Sequence, residues 1–169
     1  MRRTLDLLYD AAAWLAALAM IGVLVWVLLS IISRQLGFNI PGTDAYAGYS
    51  MAAAGFLALA HTLKRNEHIR VTLLLGRLKG RAGQVLQMWA LSVAVLLAGL
   101  FAFYSVRLAW QSHAINDVST GNDATPLWIP QIAMGIGTVV LLVAFVDEWF
   151  LQWSGKRREA APGEALHNE

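Results

Sequence analysis

Few side chains in this sequence could do chemistry, and they are scattered. His61 and His113 both sit near the ends of apolar stretches, where paired histidines could hold a haem between membrane helices. They fall at opposite ends, about a membrane thickness apart, so they cannot share one haem, and each reads as an interfacial polar residue. Ser92, Ser105 and Ser112 supply hydroxyls, but none stands in a Gly-x-Ser-x-Gly context. Intramembrane hydrolysis would need a nucleophile, a base and an oxyanion pocket in one layer, whereas a serine in a membrane helix usually bonds to its own backbone or to a neighbouring helix. Ion-coupled transport calls for an ionisable residue in the hydrocarbon region. Asp147, Glu148 and Arg107 lie near the ends of apolar stretches, where they snorkel or pair at an interface. With no cysteine, disulfides and thiolate chemistry are excluded. No catalytic residue, cofactor or metal site is expected.

The elements that must position these residues are apolar helices. Of 169 residues, 57% are hydrophobic and 14% charged, against about 25% charged in a soluble domain. The pattern predicts an all-α membrane protein with four transmembrane helices, spanning about 11–32, 45–63, 84–110 and 127–151. A stretch of about 20 apolar residues crosses a hydrocarbon core of about 30 Å. The first is too long for the apolar core of a cleaved signal peptide and reads as a permanent anchor. The second, rich in alanine and glycine, is the least hydrophobic. Pro41, Pro126, Pro130 and Pro162 lie outside the spans or in a first turn, and Gly135 and Gly137 permit close helix packing more simply than a broken helix. Trp89 and Trp110 are 21 positions apart, as are Trp128 and Trp149, which is about 31 Å along a helix. Both pairs suit interfacial belts, the alternative being ordinary core tryptophans.

Lysine and arginine set the direction. Eleven of the 13 (Arg2, Arg3, Lys64, Arg65, Arg70, Arg77, Lys79, Arg81, Lys156, Arg157 and Arg158) fall at the termini or between spans two and three, leaving Arg34 and Arg107 on the other side. The positive-inside rule then puts both termini and the middle loop in the cytoplasm of a bacterial inner-membrane protein. The net charge of +2, clustered in this way, argues against a nucleic-acid partner. Within the middle loop, Val71, Leu74, Leu75 and Leu78 recur at helical spacing with Arg70 and Arg77 on another part of the circumference, predicting a short amphipathic helix over about 69–79. It would lie in the interface with its leucines among lipids and its basic residues at anionic headgroups, or serve as a connecting helix packed on protein. Residues 1–158 form one domain, and the polar tail 159–169 is expected to be disordered. Ala45, Gly48, Ala52 and Gly55 make a smooth stripe on the second helix, to be covered either by the chain's own spans or by a second polypeptide.

Three features together resemble the small membrane (Q) subunit of tripartite ATP-independent periplasmic (TRAP) transporters. They are the four oriented spans, the run His61-Thr62-Leu63-Lys64-Arg65-Asn66-Glu67-His68-Ile69-Arg70-Val71, and Thr125-Pro126-Leu127-Trp128-Ile129-Pro130 before a glycine-containing fourth span. The resemblance covers nearly the whole chain. It implies a scaffold subunit, not an enzyme, which pairs with a large membrane (M) subunit that carries the substrate and sodium sites and moves as an elevator. A periplasmic substrate-binding protein would deliver an organic anion, and the outer loops, through Asp117 and Asp123, could touch it. Many relatives carry paired acids before the second span, whereas Gly42-Thr43-Asp44-Ala45 has one, leaving Asp44 as a partner for Arg34 or Arg107. The competing classes are a small homo-oligomeric transporter or channel, which needs a polar path, and a membrane enzyme, which needs a cofactor or a trapped nucleophile.

Overall fold

The computed structural model describes residues 2–38, 40–64 and 81–154. Four helices account for most of them: α1 (Arg2–Gln35), α2 (Thr43–Lys64), α3 (Arg81–Ala114) and α4 (Trp128–Trp153). Among the described residues there is no strand, only an isolated antiparallel bridge between Val118 and Pro126. The predicted all-α class holds to that extent.

Two helix limits differ from the sequence expectation. Helices α1 and α3 have 34 residues each, about 51 Å, and so run past a bilayer core at their ends. Three helices, α1, α3 and α4, are long and apolar enough to cross a membrane; α2 is not apolar enough, so the count of four spans is not met on hydropathy alone. The reason is composition: Asp44, Tyr46, Tyr49, Ser50, His61, Thr62 and Lys64 share α2 with alanines and glycines. The amphipathic helix expected over 69–79, with Arg70, Val71, Leu74, Leu75, Arg77 and Leu78, lies outside the described residues, as does the 159–169 tail.

Helices α1 and α3 end in the same way. The Phe38 N–H reaches the Ser33 carbonyl and the Gly37 N–H that of Arg34; the Asp117 N–H reaches Ser112 and the Asn116 N–H reaches His113. Each is a Schellman cap, with Gly37 (φ 77°) and Asn116 (φ 52°) in the left-handed conformation that reverses the chain.

Packing follows the order α1–α2–α4–α3: α1 lies on α2, α2 on α4 and α4 on α3. Two hairpins, α1–α2 and α3–α4, are thus joined along the α2–α4 seam. The core of that join is made of Tyr9 and Ala12 from α1, Ala60 and Leu63 from α2, and Val140, Leu141 and Ala144 from α4. Alanines dominate because small side chains let helix backbones approach. The closest approach is at Gly137, where a Cβ would stand 2.5 Å from the Phe56 carbonyl oxygen. Thr138 beside it is fully buried, and its hydroxyl is satisfied by donating back to the Met134 and Gly135 carbonyls. Gly135 points to the other neighbour, with Val106 of α3 in ordinary contact at 3.7 Å.

Gly137→Ala therefore forces α2 and α4 apart, and we expect a loss of about 1–3 kcal/mol, the usual range for overpacking. Gly48→Ala, with nothing within 4 Å of the new carbon, should be neutral or slightly stabilising. Thermal unfolding of both variants in detergent checks this; equal melting would refute the tight seam.

Candidate functional site

The polar residues that remain gather at the two ends of the bundle. At one end the start of α1 meets the ends of α2 and α4. Asp6, Tyr9 and Asp10 share one face of α1 at helical spacing. Lys64, the last residue of α2, places its Nζ 3.0 Å from an Asp147 carboxylate oxygen on α4 and 3.6 Å from Asp6. The same ammonium stands 4.8 Å from the centre of the Tyr9 ring, so one cation ties three helices. His61 Nδ1 lies 3.9 Å from Asp10. On the neighbouring pair, the Gln152 amide donates to Gln87 at 2.9 Å and the Trp149 indole donates to Ser92 at 3.0 Å. The Ser92 hydroxyl is in turn bonded to the Met88 carbonyl, the ordinary use of a serine in an apolar helix.

At the other end Gly42, just before α2, comes against the loop 115–127. Gly42, at φ 84°, brings the chain so close to Asp123 that a Cβ would stand 2.7 Å from the Asp123 Cβ. Asp123 accepts hydrogen bonds from the Ser119 hydroxyl (2.8 Å) and from the Tyr49 hydroxyl on α2 (3.0 Å). The Thr125 and Tyr46 hydroxyls lie 3.3 Å apart, and Tyr46 packs against Trp26 of α1 with ring centroids 4.9 Å apart. Arg34 pairs with Asp44 at 3.2 Å, both well exposed, a contact worth at most about 1 kcal/mol. Asp44 also accepts from Ser30.

These facts place the sequence candidates. Asp123 turns inward and closes a loop, so its side chain is spoken for within the fold, unlike Asp117, whose backbone alone is seen to bond, to Ser112 and Leu127. Of Arg34 and Arg107, it is Arg34 that holds Asp44. Along the α2 stripe, Ala45 is half-buried while Gly48, Ala52 and Gly55 are exposed, and nothing in the chain faces Gly48 or Gly55. His61 and His113 sit at opposite ends, His113 with its ring edge-on to Trp128. Trp89 and Trp110 are exposed, whereas Trp128 and Trp149 are half-buried. Sequence reasoning passed over Asp6, Tyr9 and Asp10; acids four residues apart just before an apolar run are the signal that could have found them. Among the described residues no group of acids and histidines is arranged to hold a metal.

The Ser119 hydroxyl, then those of Thr125 and Tyr49, hold the Asp123 carboxyl down to about 2. A carboxylate lowered by folding adds stability above its ordinary range near pH 4 and loses it as pH falls toward its folded value. The gap in melting temperature between the native chain and Asp123→Asn should therefore be constant from pH 7 to about 4 and shrink below that. A gap that widened on acidification would show that this carboxylate does not hold the loops.

The chain's sequence was compared with known proteins. Residues 23–155, from mid-α1 to just past α4, match the family described as tripartite ATP-independent periplasmic transporters, DctQ component. Comparison with curated proteins returned no match. The family is a transporter component and not an enzyme, and its membrane setting agrees with three helices long and apolar enough to cross a bilayer. On a match covering most of its length, the chain belongs to the DctQ-component family of tripartite ATP-independent periplasmic transporters.

Proposed function

We propose that this chain is the small scaffold subunit of a TRAP-type secondary transporter in the bacterial inner membrane. It pairs there with a large permease subunit and supports sodium-coupled, binding-protein-dependent uptake of an organic anion. The observation that carries the scaffold role is the α2–α4 seam, held at three depths. Tyr49 of α2 meets Asp123 in the loop leading into α4 at one end, Gly137 lies against the Phe56 backbone in the middle, and Lys64 meets Asp147 at the other end. A brace for a moving companion must resist shear along its length, and three fixations across one seam supply that.

Helix α2 acts as the fourth span. Its 22 residues reach about 33 Å, and α1 and α4 flank it, so Tyr46, Tyr49, Ser50, His61 and Thr62 are half-buried against its neighbours and Asp44 is left exposed at its end. Both termini and the basic loop 65–80 face the cytoplasm, in keeping with the eleven positive charges on that side. The amphipathic stretch 69–79 levels the scaffold in the inner interface, with Arg70 and Arg77 at headgroups and Val71, Leu74, Leu75 and Leu78 among acyl chains. On the outer side Asp117 is the acid available to the binding protein, since Asp123 is engaged by Ser119 and Tyr49. The exposed Gly48, Ala52 and Gly55 offer the large subunit a surface on which a helix can lie close.

Co-expression with the large subunit tests this reading. The pair should copurify and take up substrate with the binding protein present. Gly48→Leu combined with Gly55→Leu should weaken the pairing while leaving the melting of the isolated chain unchanged. If the chain elutes only with itself and accumulates solute in liposomes unaided, it is a homo-oligomeric transporter and the proposal fails.

A further inference from the structure

Helix α3 carries no charged residue between its first residue, Arg81, and Arg107. With Trp110 as the outer belt residue expected from the sequence, the Arg107 backbone, three residues earlier on α3, lies about 4.5 Å deeper, at the edge of the apolar layer. Its side chain is exposed, and among the described residues no carboxylate is within ion-pair distance of it. The outer-end acids are placed elsewhere: Asp44 is held by Arg34 and Ser30, and Asp123 by Ser119 and Tyr49. Helix α3 buries Ala98, Ala102, Ser105 and Ser112, one stripe at separations of four, three and seven residues, while Arg107 lies on the opposite side. Around it stand Phe103, Tyr104 and Trp110, all exposed, with the Phe103 and Tyr104 rings edge to face at 5.5 Å.

An arginine in the apolar layer is costly without an anion, and its long side chain can rise toward the headgroups to find one. Aromatic residues with a polar edge favour that same depth. A planar guanidinium matches two oxygens of a phosphate. We infer that Arg107, flanked by Tyr104 and Trp110, forms a binding site for the phosphodiester of a membrane phospholipid on the outer face of α3. This inference rests on α3 crossing the membrane as proposed above, but not on the pairing with a large subunit. The same face could instead meet a carboxylate of a protein partner, and the test separates the two.

The full chain in nanodiscs is irradiated with photoreactive phosphatidylglycerol or phosphatidylethanolamine, and adducts are mapped by mass spectrometry. Photoreactive diacylglycerol, which lacks the phosphate, is the control. Both phospholipid probes should label the stretch 100–111 in the native chain. Labelling should fall about fivefold in Arg107→Gln, in line with the attraction a basic side chain provides near a headgroup layer. Arg107→Lys should recover a good part of it, and all variants should elute as the native chain does. Equal labelling of Arg107→Gln, or equal labelling by diacylglycerol, overturns the site. So does loss of the adduct when the large subunit is reconstituted beside the chain, which would assign Arg107 to a protein partner. Failure to copurify with a large subunit would undo the functional reading while leaving the lipid adduct in place.

Discussion

Between the Phe56 carbonyl and the backbone of Gly137 there is no room for a side chain, and this contact sets how α2 and α4 lie. Inside a membrane, helices gain little from hydrophobic burial against one another, because lipid tails are as apolar as leucine. Close packing and a small number of satisfied polar contacts must hold them. The Gly137 contact supplies the first. Tyr49–Asp123, which ties α2 to the loop before α4, and Lys64–Asp147, which crosses the seam, supply the second, and both stand at the ends, where charge is least costly.

The rest of the arrangement follows from that join. Each hairpin has one helix at the seam and one at the edge, so α1 and α3 present long apolar faces outward, from Leu7 to Ile32 and from Val85 to Trp110. Those faces suit lipid or apolar protein, while α2 is covered by α1 and α4 on two sides and open along Gly48, Ala52 and Gly55. The same logic explains why the seam is rich in alanine and glycine and why the large residues are pushed to the edges.

A transporter component built in this way is suited to holding still. The Lys64 ammonium connects α1, α2 and α4 through Asp6, Tyr9 and Asp147, and the outer loops close through Gly42, Ser119 and Asp123. Shearing one hairpin past the other would break all three levels together, whereas a change confined to one end would leave the other two intact.

Much of this was readable from residue order. Long apolar runs dictate helices whatever their neighbours, because a backbone in lipid must satisfy its own hydrogen bonds. The four helices and the end positions of His61 and His113 were legible for that reason, and the family from its motifs. So was the packing use of Gly137, although which helix it would meet was not. Pairing across the chain was beyond the sequence, since it depends on which helices become neighbours. The order α1–α2–α4–α3 makes Asp123 a structural acid and not a free one, turns Asp6 and Tyr9 into partners of Lys64, and leaves Gly48 and Gly55 uncovered. Periodicity reports which face of a helix is apolar, but the neighbour that face will meet is settled by backbone approach, and a single glycine controls that here.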